Sequence, residues 1–327
     1  MCSGSTSFKS SHVHAQRGLS LIELMISMVV GLVLLAGMTT LFLNQNRTQG
    51  SLERTSRLIE NGRYALQLIT DDLQVAGYYW IFDPSDFTPP DPLNPCDTNV
   101  NTLRNSLPVH VQGLDHTVSP PPPWPCVIDK KPDTDVLVIR RAAPLAQTVP
   151  PSNATFFMQV SRCPTNFGAQ VFDRAYTSLN LTDKDCSTLA PAHRLLVRIY
   201  YIATTTGIPT LTRVELNQAG VFTSPQALVE GIEDLQLEFG IDGVVAGMDG
   251  VPDDFDPCDL CPPEEFARTV AMRVHILARS MEAAKQDDGK VFTIAEKAPF
   301  DPNDNFKRQV YSQYVELVNP ITRITSP

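Results

Sequence analysis

An apolar run near the N-terminus constrains the fold of this chain more than any other feature. From Leu19 to Leu43 the sequence is LSLIELMISMVVGLVLLAGMTTLFL, 25 residues with one charged side chain, Glu23. A helix of this length crosses a hydrocarbon layer of about 30 Å at about 1.5 Å per residue. No second apolar run in the 327 residues approaches that length. The sequence therefore predicts one membrane-spanning helix joined to a large exported part.

The charges around this run predict its orientation and exclude one class of partner. Residues 1–18 carry Lys9 and Arg17 and no acid, and basic flanks tend to stay on the cytoplasmic side of a membrane. Everything after Leu43 is then expected to be exported. The formal net charge of −10 argues against a nucleic-acid partner, because binding to phosphates requires basic surfaces.

Six of the seven cysteines lie in the exported part, which predicts disulfides formed in an oxidising compartment. Six cysteines permit 15 pairings, and proximity in sequence favours Cys96–Cys126, Cys163–Cys186 and Cys258–Cys261. The Cys-x-x-Cys spacing of the last pair also occurs in redox and zinc sites. Neighbouring acids disfavour a reactive thiolate there, and a zinc site requires a second pair of ligands. A small structural disulfide is the preferred interpretation.

Glu23 needs either a partner or a position at the membrane interface. An unpaired carboxylate within a bilayer costs at least ~2.5 kcal/mol, although near the end of the run it could snorkel to the headgroups. Gly18 directly precedes the run, and Glu23 is the fifth residue after it. Cleavage after Gly18 would leave a cationic amine on Leu19. Glu23 of one subunit could then pair with the amine of its neighbour in a helical stack.

The motif RG–LSLIELMI resembles the class III signal of type IV pilins and pseudopilins. The resemblance implies that a prepilin peptidase cuts between Gly18 and Leu19 and methylates Leu19, and that Glu23 acts in assembly. Three further stretches are similar to the PilW family of minor type IV pilins. They are RLIENGRYALQLITDDLQVAGY at 57–78, VEGIEDLQLEFGID at 229–242, and RTVAMRVHILARS with QVYSQYVELVNP after Arg268.

This resemblance implies a single-pass protein of the inner membrane with its C-terminal head in the periplasm, and in the pilus fibre or at the cell surface after assembly. The expected partners are prepilin peptidase, other minor pilins and the major pilin, the pilins through the N-terminal helix. The expected function is initiation of pilus assembly at the tip, with secondary roles in twitching motility or adhesion. A minor pseudopilin of a type II secretion system and a pilus-tip adhesin remain alternatives. An anchored enzyme is disfavoured, because G-x-S-x-G, H-E-x-x-H and P-loop motifs are absent.

The periodicity of the exported part predicts an α+β fold. One helix is expected from about Leu19 to Ala76, and Gly77 ends its pattern. Its second half carries an apolar stripe suited to packing on a head: Leu52, Leu58, Ile59, Ala65, Leu66, Ile69 and Leu73. Strands are predicted at 135–140, 156–160, 194–203, 211–216, 227–239, 269–278 and 310–318. A long helix packed on an antiparallel sheet is an α+β arrangement.

Composition divides the chain into five expected segments. They are a removed leader at 1–18, a transmembrane helix at 19–43, the amphipathic half of the same helix at 44–77, a Pro/Cys-rich insertion at 78–134, and a β-rich head at 135–327. The insertion is defined by proline, since residues 83–134 hold 12 of the 27 prolines. This density predicts irregular, disulfide-tied loops.

The acidic stretch 242–265 is a candidate cation site, with eight acids and no Lys or Arg. Calcium takes 6–8 oxygen ligands, and the candidate ligands are Asp242, Asp249, Asp253, Asp254 and Asp256. A solvated acidic loop without a metal is the alternative, because the spacing is not that of an EF-hand. No other cofactor is expected.

Overall fold

The structure is a computed structural model that describes residues 20–115, 124–147, 155–204, 207–243, 247–259, 261–284 and 289–325. It divides into two compact units, Met1–Glu53 and Arg54–Pro327. The first helix, α1 (Leu21–Leu73), begins in the first unit and ends in the second.

The first unit contributes the apolar part of α1. Every large apolar side chain between Leu21 and Leu43 is 50–79% exposed, and the helix is long and apolar enough to cross a membrane. Its hydroxyl side chains are satisfied locally, because Ser27, Thr39 and Thr40 donate to carbonyl oxygens four residues earlier. The surface of this segment is therefore almost entirely apolar.

The described part of the second unit contains eleven strands and three further short α-helices. The strands are β1 (Val111–Leu114), β2 (Val136–Ala142), β3 (Phe157–Val160), β4 (Gln170–Asp173), β5 (Ala192–Ala203), β6 (Thr210–Glu215), β7 (Gln226–Glu230), β8 (Ile232–Ile241), β9 (Asp254–Asp256), β10 (Thr269–Arg279) and β11 (Arg308–Glu316). The helices are α2 (Val100–Asn105), α3 (Pro263–Ala267) and α4 (Val318–Thr325).

The strands form two antiparallel sheets. Sheet A has the order β1-β2-β5-β3-β4, with β6 paired to β5 and β7 paired to β6. Sheet B has the order β11-β10-β8-β9. A long helix with antiparallel sheets confirms the predicted α+β class.

The prediction of one strand at 227–239 is wrong, because the chain changes sheets within it. β7 pairs with β6 in sheet A, whereas β8 pairs with β10 in sheet B. The two strands meet at Gly231, which has φ +77. A Cβ at Gly231 would lie 2.6 Å from the carbonyl oxygen of Arg279, so glycine alone suits this turn. Apolar residues lie on both sides of the turn, which conceals it in the sequence.

The last five turns of α1 pack an apolar stripe against both sheets. Buried side chains of the helix are Leu58, Ala65, Leu66, Ile69 and Leu73, which cluster with Leu137 and Ile139 of sheet A and Leu235, Leu237, Val274 and Ile276 of sheet B. Two predicted members of the stripe, Leu52 and Ile59, are instead 66% and 38% exposed. An α-helix of 3.6 residues per turn drifts away from a seven-residue repeat, so the strict heptad positions do not all stay on one face.

Gly62 lies on α1 directly against the Tyr311 ring of β11. A Cβ at this position would overlap the ring of Tyr311. Glycine within a helix costs ~1 kcal/mol relative to alanine, and the packing of Tyr311 explains why that cost is tolerated here.

Residues 78–134 are here called the cover segment. Its described parts, 78–115 and 124–134, form a layer of the core rather than a peripheral loop. The segment contains α2 and β1, and its apolar side chains cover the face of sheet A opposite α1. They are Tyr79, Phe82, Leu103, Leu107 and Trp124, packed on Val136, Val138, Val197, Ile199 and Tyr201. Because alternate residues of a strand face opposite sides, sheet A is buried on both faces.

Candidate assembly site

Glu23 lies in the first turn of α1 with its side chain exposed. Its Oε2 accepts a hydrogen bond from the backbone N–H of Ser20 at 3.3 Å, as the acid of a capping box does. The S-x-x-E spacing of Ser20 and Glu23 is the sequence signal for this contact. Within the described residues, the Glu23 carboxylate has this backbone donor and no cationic side chain beside it.

Gly18 and Leu19, the predicted cleavage site, lie outside the described residues, which begin at Ser20. Cleavage and methylation at this position therefore stay predictions.

Asp72 is the centre of a buried ionic network between α1 and sheet A, and it is 4% exposed. Its Oδ1 accepts hydrogen bonds from Arg141 Nε at 3.0 Å and Arg198 Nη1 at 2.9 Å. Its Oδ2 accepts the hydroxyl of Tyr200 at 3.0 Å. Arg198 also pairs with Glu215 at 2.9 Å. The network ties the end of α1 to β2, β5 and β6.

Burial and charge act together on the partners of Asp72. Burial lowers the pKa of the Arg198 guanidinium, but the charges of Asp72 and Glu215 oppose it and the net pKa is raised. Burial, followed by the Asp72 charge, raises the pKa of the Tyr200 hydroxyl. Arg198 therefore stays cationic and Tyr200 stays a hydrogen-bond donor at every physiological pH.

Sequence reasoning missed the Asp72 network, although one signal was present. Asp72 follows Leu58 and Ala65 at intervals of seven residues, and both of those are buried. An acid at a stripe position predicts a buried partner, since buried charges are nearly always paired.

A second buried polar cluster surrounds His110, close to Gly77. The Nε2 atom of His110 lies 2.7 Å from the carbonyl oxygen of Thr269. Burial, and after it the charge of Arg323, lowers the pKa of His110 to about 4. Arg140, which is 1% exposed, donates to the carbonyl oxygen of Val109 and to Gln112 Oε1. His110 is therefore neutral at neutral pH, between two cationic side chains.

The structure joins six cysteines in three disulfides, Cys96–Cys126, Cys163–Cys186 and Cys258–Cys261. The first closes the cover segment and the second ties the loop after β3 to the connection between β4 and β5. The third precedes α3, and Cys258 packs in the core beneath α1. The head thus contains disulfides, as expected of an exported domain.

The five aspartates predicted as calcium ligands each accept backbone N–H groups. Asp242, which is fully buried, accepts from Asp249 at 3.3 Å and from Gly250 at 2.7 Å. Each of the other four carboxylates accepts a backbone N–H. The pairs are Val251 N–H to Asp249, Gly243 N–H to Asp253, Phe255 N–H to Asp254, and Cys258 N–H to Asp256. These bonds shape the loop, and calcium binding stays a prediction from sequence.

Among the described residues, the group of potential metal ligands that comes together is Asp256, Cys258 and Cys261, with ligand atoms within 4.8 Å of one another. The two sulfurs form a disulfide, so neither is a thiolate that could bind a metal. This group does not include the other four aspartates of the acidic stretch.

Two family comparisons match the chain. Residues 13–39 match the prokaryotic N-terminal methylation motif, and residues 199–319 match the family described as Type IV Pilus-assembly protein W. Comparisons with curated proteins and with solved structures returned no match. The first matched range contains Gly18, Leu19 and Glu23, and the second contains all of sheet B.

The two matches support a PilW-like minor pilin with a class III signal. The PilW match runs from the middle of β5 to the start of α4 and leaves out the cover segment and β1–β4. The class III signal and the apolar N-terminal helix fit a membrane-anchored pilin. The description of the matched family places its members in pilus assembly.

Proposed function

We propose that this PilW-like protein initiates assembly of a type IV pilus, at the tip and together with other minor pilins. The observation that carries the proposal is the N-terminal segment, in which a methylation motif at 13–39 precedes a helix with exposed apolar side chains from Leu21 to Leu43. Such a surface suits burial in lipid before assembly and among neighbouring pilin helices afterwards.

The first proposed step is processing of the N-terminus. A prepilin peptidase cuts between Gly18 and Leu19 and methylates Leu19. Removal of 18 residues from 327 leaves 309, and loss of Lys9 and Arg17 leaves 24 bases against 36 acids, a net charge of −12. The new amine lies four residues before Glu23 and carries a positive charge.

Glu23 is proposed to set the axial position of the subunit in the helical stack. Its carboxylate has a backbone partner in Ser20 within the described chain, which leaves it able to meet the amine of a neighbouring subunit. Lipid makes an unpaired acid costly. The pair therefore favours one register over slipped ones, as a single polar core residue does in a coiled coil.

The proposed placement follows from the same segments. The helix at 19–43 spans the inner membrane, the amphipathic half at 44–77 leads into the periplasm, and the cover segment and the head at 135–327 lie there. After assembly the head lies on the fibre. A head of this size suits the end of a fibre better than a repeating shaft, which the major pilin extends from below. The proposed role is structural, without catalysis.

The test is deletion of the gene and complementation with full-length variants. Deletion is expected to reduce surface pili sharply while major pilin stays in the membrane, and the native chain restores them. Glu23→Gln is expected to accumulate normally and restore pili poorly. The matched control is Glu60→Gln, an exposed acid of the same helix outside the apolar run, and it should restore them fully.

Mass spectrometry of the membrane-extracted protein should show N-methyl-Leu19 as its first residue. Intact residues 1–18 would contradict the processing step. Normal piliation in a deletion strain that lacks a redundant homologue would refute the role in assembly. A secretion defect with normal pili would instead support the pseudopilin alternative, and surface binding by the head without a piliation defect would support an adhesin.

A further inference from the structure

β11 forms one edge of sheet B, where β10 is its partner among the described strands. Two bonds beyond its ends fix the orientation of its backbone groups: Leu317 N–H donates to Val270 O at 2.9 Å, and Ser280 N–H donates to Lys307 O at 2.8 Å. Residues of an antiparallel strand alternate between facing the partner strand and facing away from it. The N–H and C=O groups of residues 310, 312, 314 and 316 therefore face outward.

These outward groups are almost unpaired in the described part of the chain. The carbonyl oxygen of Val310 accepts the side-chain amide of Gln309 at 3.2 Å. The backbone groups of Ser312, Tyr314 and Glu316 have no hydrogen-bond partner among the described residues.

The central part of the edge also lacks the devices that prevent strand pairing. The stretch QVYSQYV at 309–315 contains no charged residue and no proline, whereas natural edge strands are usually interrupted by one or the other. The charged residues of the nine-residue strand, Arg308 and Glu316, lie at its two ends. The seven residues between them are a template for a further strand.

A groove of about 650 Å³ lies at the C-terminal end of the same edge. Its lining includes Val75, Tyr78, Tyr314, Glu316 and Val318. Val75, Tyr314 and Val318 are 39%, 47% and 54% exposed, respectively. The groove therefore offers an apolar surface and one carboxylate, beside the unpaired backbone of β11.

We propose that the edge of β11 and this groove bind an extended segment from the head of a neighbouring minor pilin, which joins sheet B as an additional strand. Main-chain hydrogen bonds hold such a segment, and pockets for alternate side chains select it. Glu316 selects a Lys or Arg in the incoming segment, and the apolar lining selects an apolar or aromatic residue near it. The inference rests on the proposed place of this chain in a complex of minor pilins.

A second copy of this chain fits the edge less well. If β11 paired antiparallel with itself about Ser312, Arg308 of one copy would face Glu316 of the other. Arg308 is 6% exposed and is already paired with Glu233 and Asp304. It is therefore unable to neutralise Glu316, and a different chain with a free basic residue is favoured.

The test places a benzophenone amino acid at Tyr314 of the full chain in piliated cells. The control carries the same residue at Ala227, which is exposed on β7, an edge strand of sheet A. Illumination is expected to give an adduct from position 314 whose partner peptide maps to a strand of another minor pilin head. Absence of an adduct, an adduct with a second copy, or the same adduct from position 227 would overturn the inference.

Two variants then separate the edge from the groove. Ser312→Pro removes an outward N–H and leaves the backbone bonds to β10 in place, since Pro is tolerated at such positions. It also removes the contact of 2.7 Å between the Ser312 hydroxyl and His275 Nδ1 of β10, so Ser312→Ala, which loses that contact alone, is its matched control. Glu316→Lys reverses the charge of the groove. Each of the two variants is expected to lower the yield of the adduct from position 314 about tenfold, the change that corresponds to ~1.4 kcal/mol of contact energy. The control Glu264→Lys changes an exposed acid elsewhere in the head and should leave the yield unchanged.

These outcomes are distinct from those that test assembly. Unchanged adducts and full piliation in the Ser312→Pro and Glu316→Lys strains, where the native chain is required for pili, would refute strand addition and leave the proposed function intact. Normal pili in the deletion strain would refute the proposed function itself. Protein level and resistance to protease establish that each variant is folded.

Discussion

The two parts of α1 differ in the solvent exposure of their apolar side chains. Between Leu21 and Leu43 these side chains are exposed around the whole circumference of the helix. Between Leu58 and Leu73 they form one stripe that is buried against sheets A and B. The hydrogen-bond partners of the polar side chains differ as well. Hydroxyls of the first part donate to carbonyl oxygens of the helix itself, whereas Asp72 in the second part accepts from three side chains of sheet A. One continuous helix is thus matched to two different surroundings.

The difference teaches that apolar content does not by itself identify the core. An apolar side chain stabilises the folded head only where the head removes it from water. Substitutions in the two parts of the helix should therefore separate the stability of the head from the assembly of the fibre, and the following experiments use that separation.

The largest expected effect is on packing. Ile69 is fully buried, and Ile69→Ala should destabilise the head by about 4 kcal/mol, because it removes buried methyl groups and leaves a cavity. Leu32→Ala, at a residue that is 67% exposed, should leave the unfolding midpoint of the head unchanged. Denaturant unfolding of the detergent-solubilised chain measures both. Equal losses of unfolding free energy in the two variants would show that both parts of the helix contribute to the stability of the head.

The next effect concerns the buried network. Asp72→Ala should cost about 3 kcal/mol, because it leaves Arg141 and Arg198 partly buried without their shared carboxylate. The neighbouring Asp71→Ala is the control, since Asp71 is exposed and should change stability by less than about 0.5 kcal/mol. The same unfolding assay measures both variants. An unchanged free energy of unfolding in Asp72→Ala would show that the network contributes nothing to stability.

Acid should weaken the head through His110. Its pKa is about 4 in the fold against about 6.5 in an unfolded chain, so the unfolded state takes up the proton first as the pH falls. Stability is complete above pH 6.5 and declines toward pH 4, by roughly 2 kcal/mol between pH 7 and pH 5. Thermal unfolding at several pH values should show this slope, and His110→Asn should reduce it. Arg323 and Arg140, whose charges act on the imidazole, stay unchanged in that variant.

The smallest expected effect is at the contact between α1 and β11. Gly62→Ala gains ~1 kcal/mol of helix propensity, but its Cβ overlaps Tyr311, and overpacking costs ~1–3 kcal/mol. A net loss of about 1 kcal/mol is expected. The double variant Gly62→Ala, Tyr311→Ala should lose less than the sum of the single changes. Additive losses in this cycle would show that the two residues do not interact.

Local patterns in the sequence determined the apolar helix, the S-x-x-E contact of Glu23, the α+β class and the buried stripe around Ile69. Each of these depends on residues within a few positions of one another, where the helical and strand periods act directly. The predicted strands at β2, β5, β6 and β10 were also placed correctly to within a few residues.

Tertiary structure alone decided the rest. The sequence predicted one strand at 227–239, whereas the chain moves from sheet A to sheet B at Gly231. The proline-rich composition of the cover segment hid the fact that its aromatic residues close the second face of sheet A. Asp72 meets Arg141 and Arg198 across 69 and 126 residues, and the open edge of β11 exists because no other described strand pairs with it. Contacts over such separations depend on which surfaces meet when the core forms, and no local period encodes that choice.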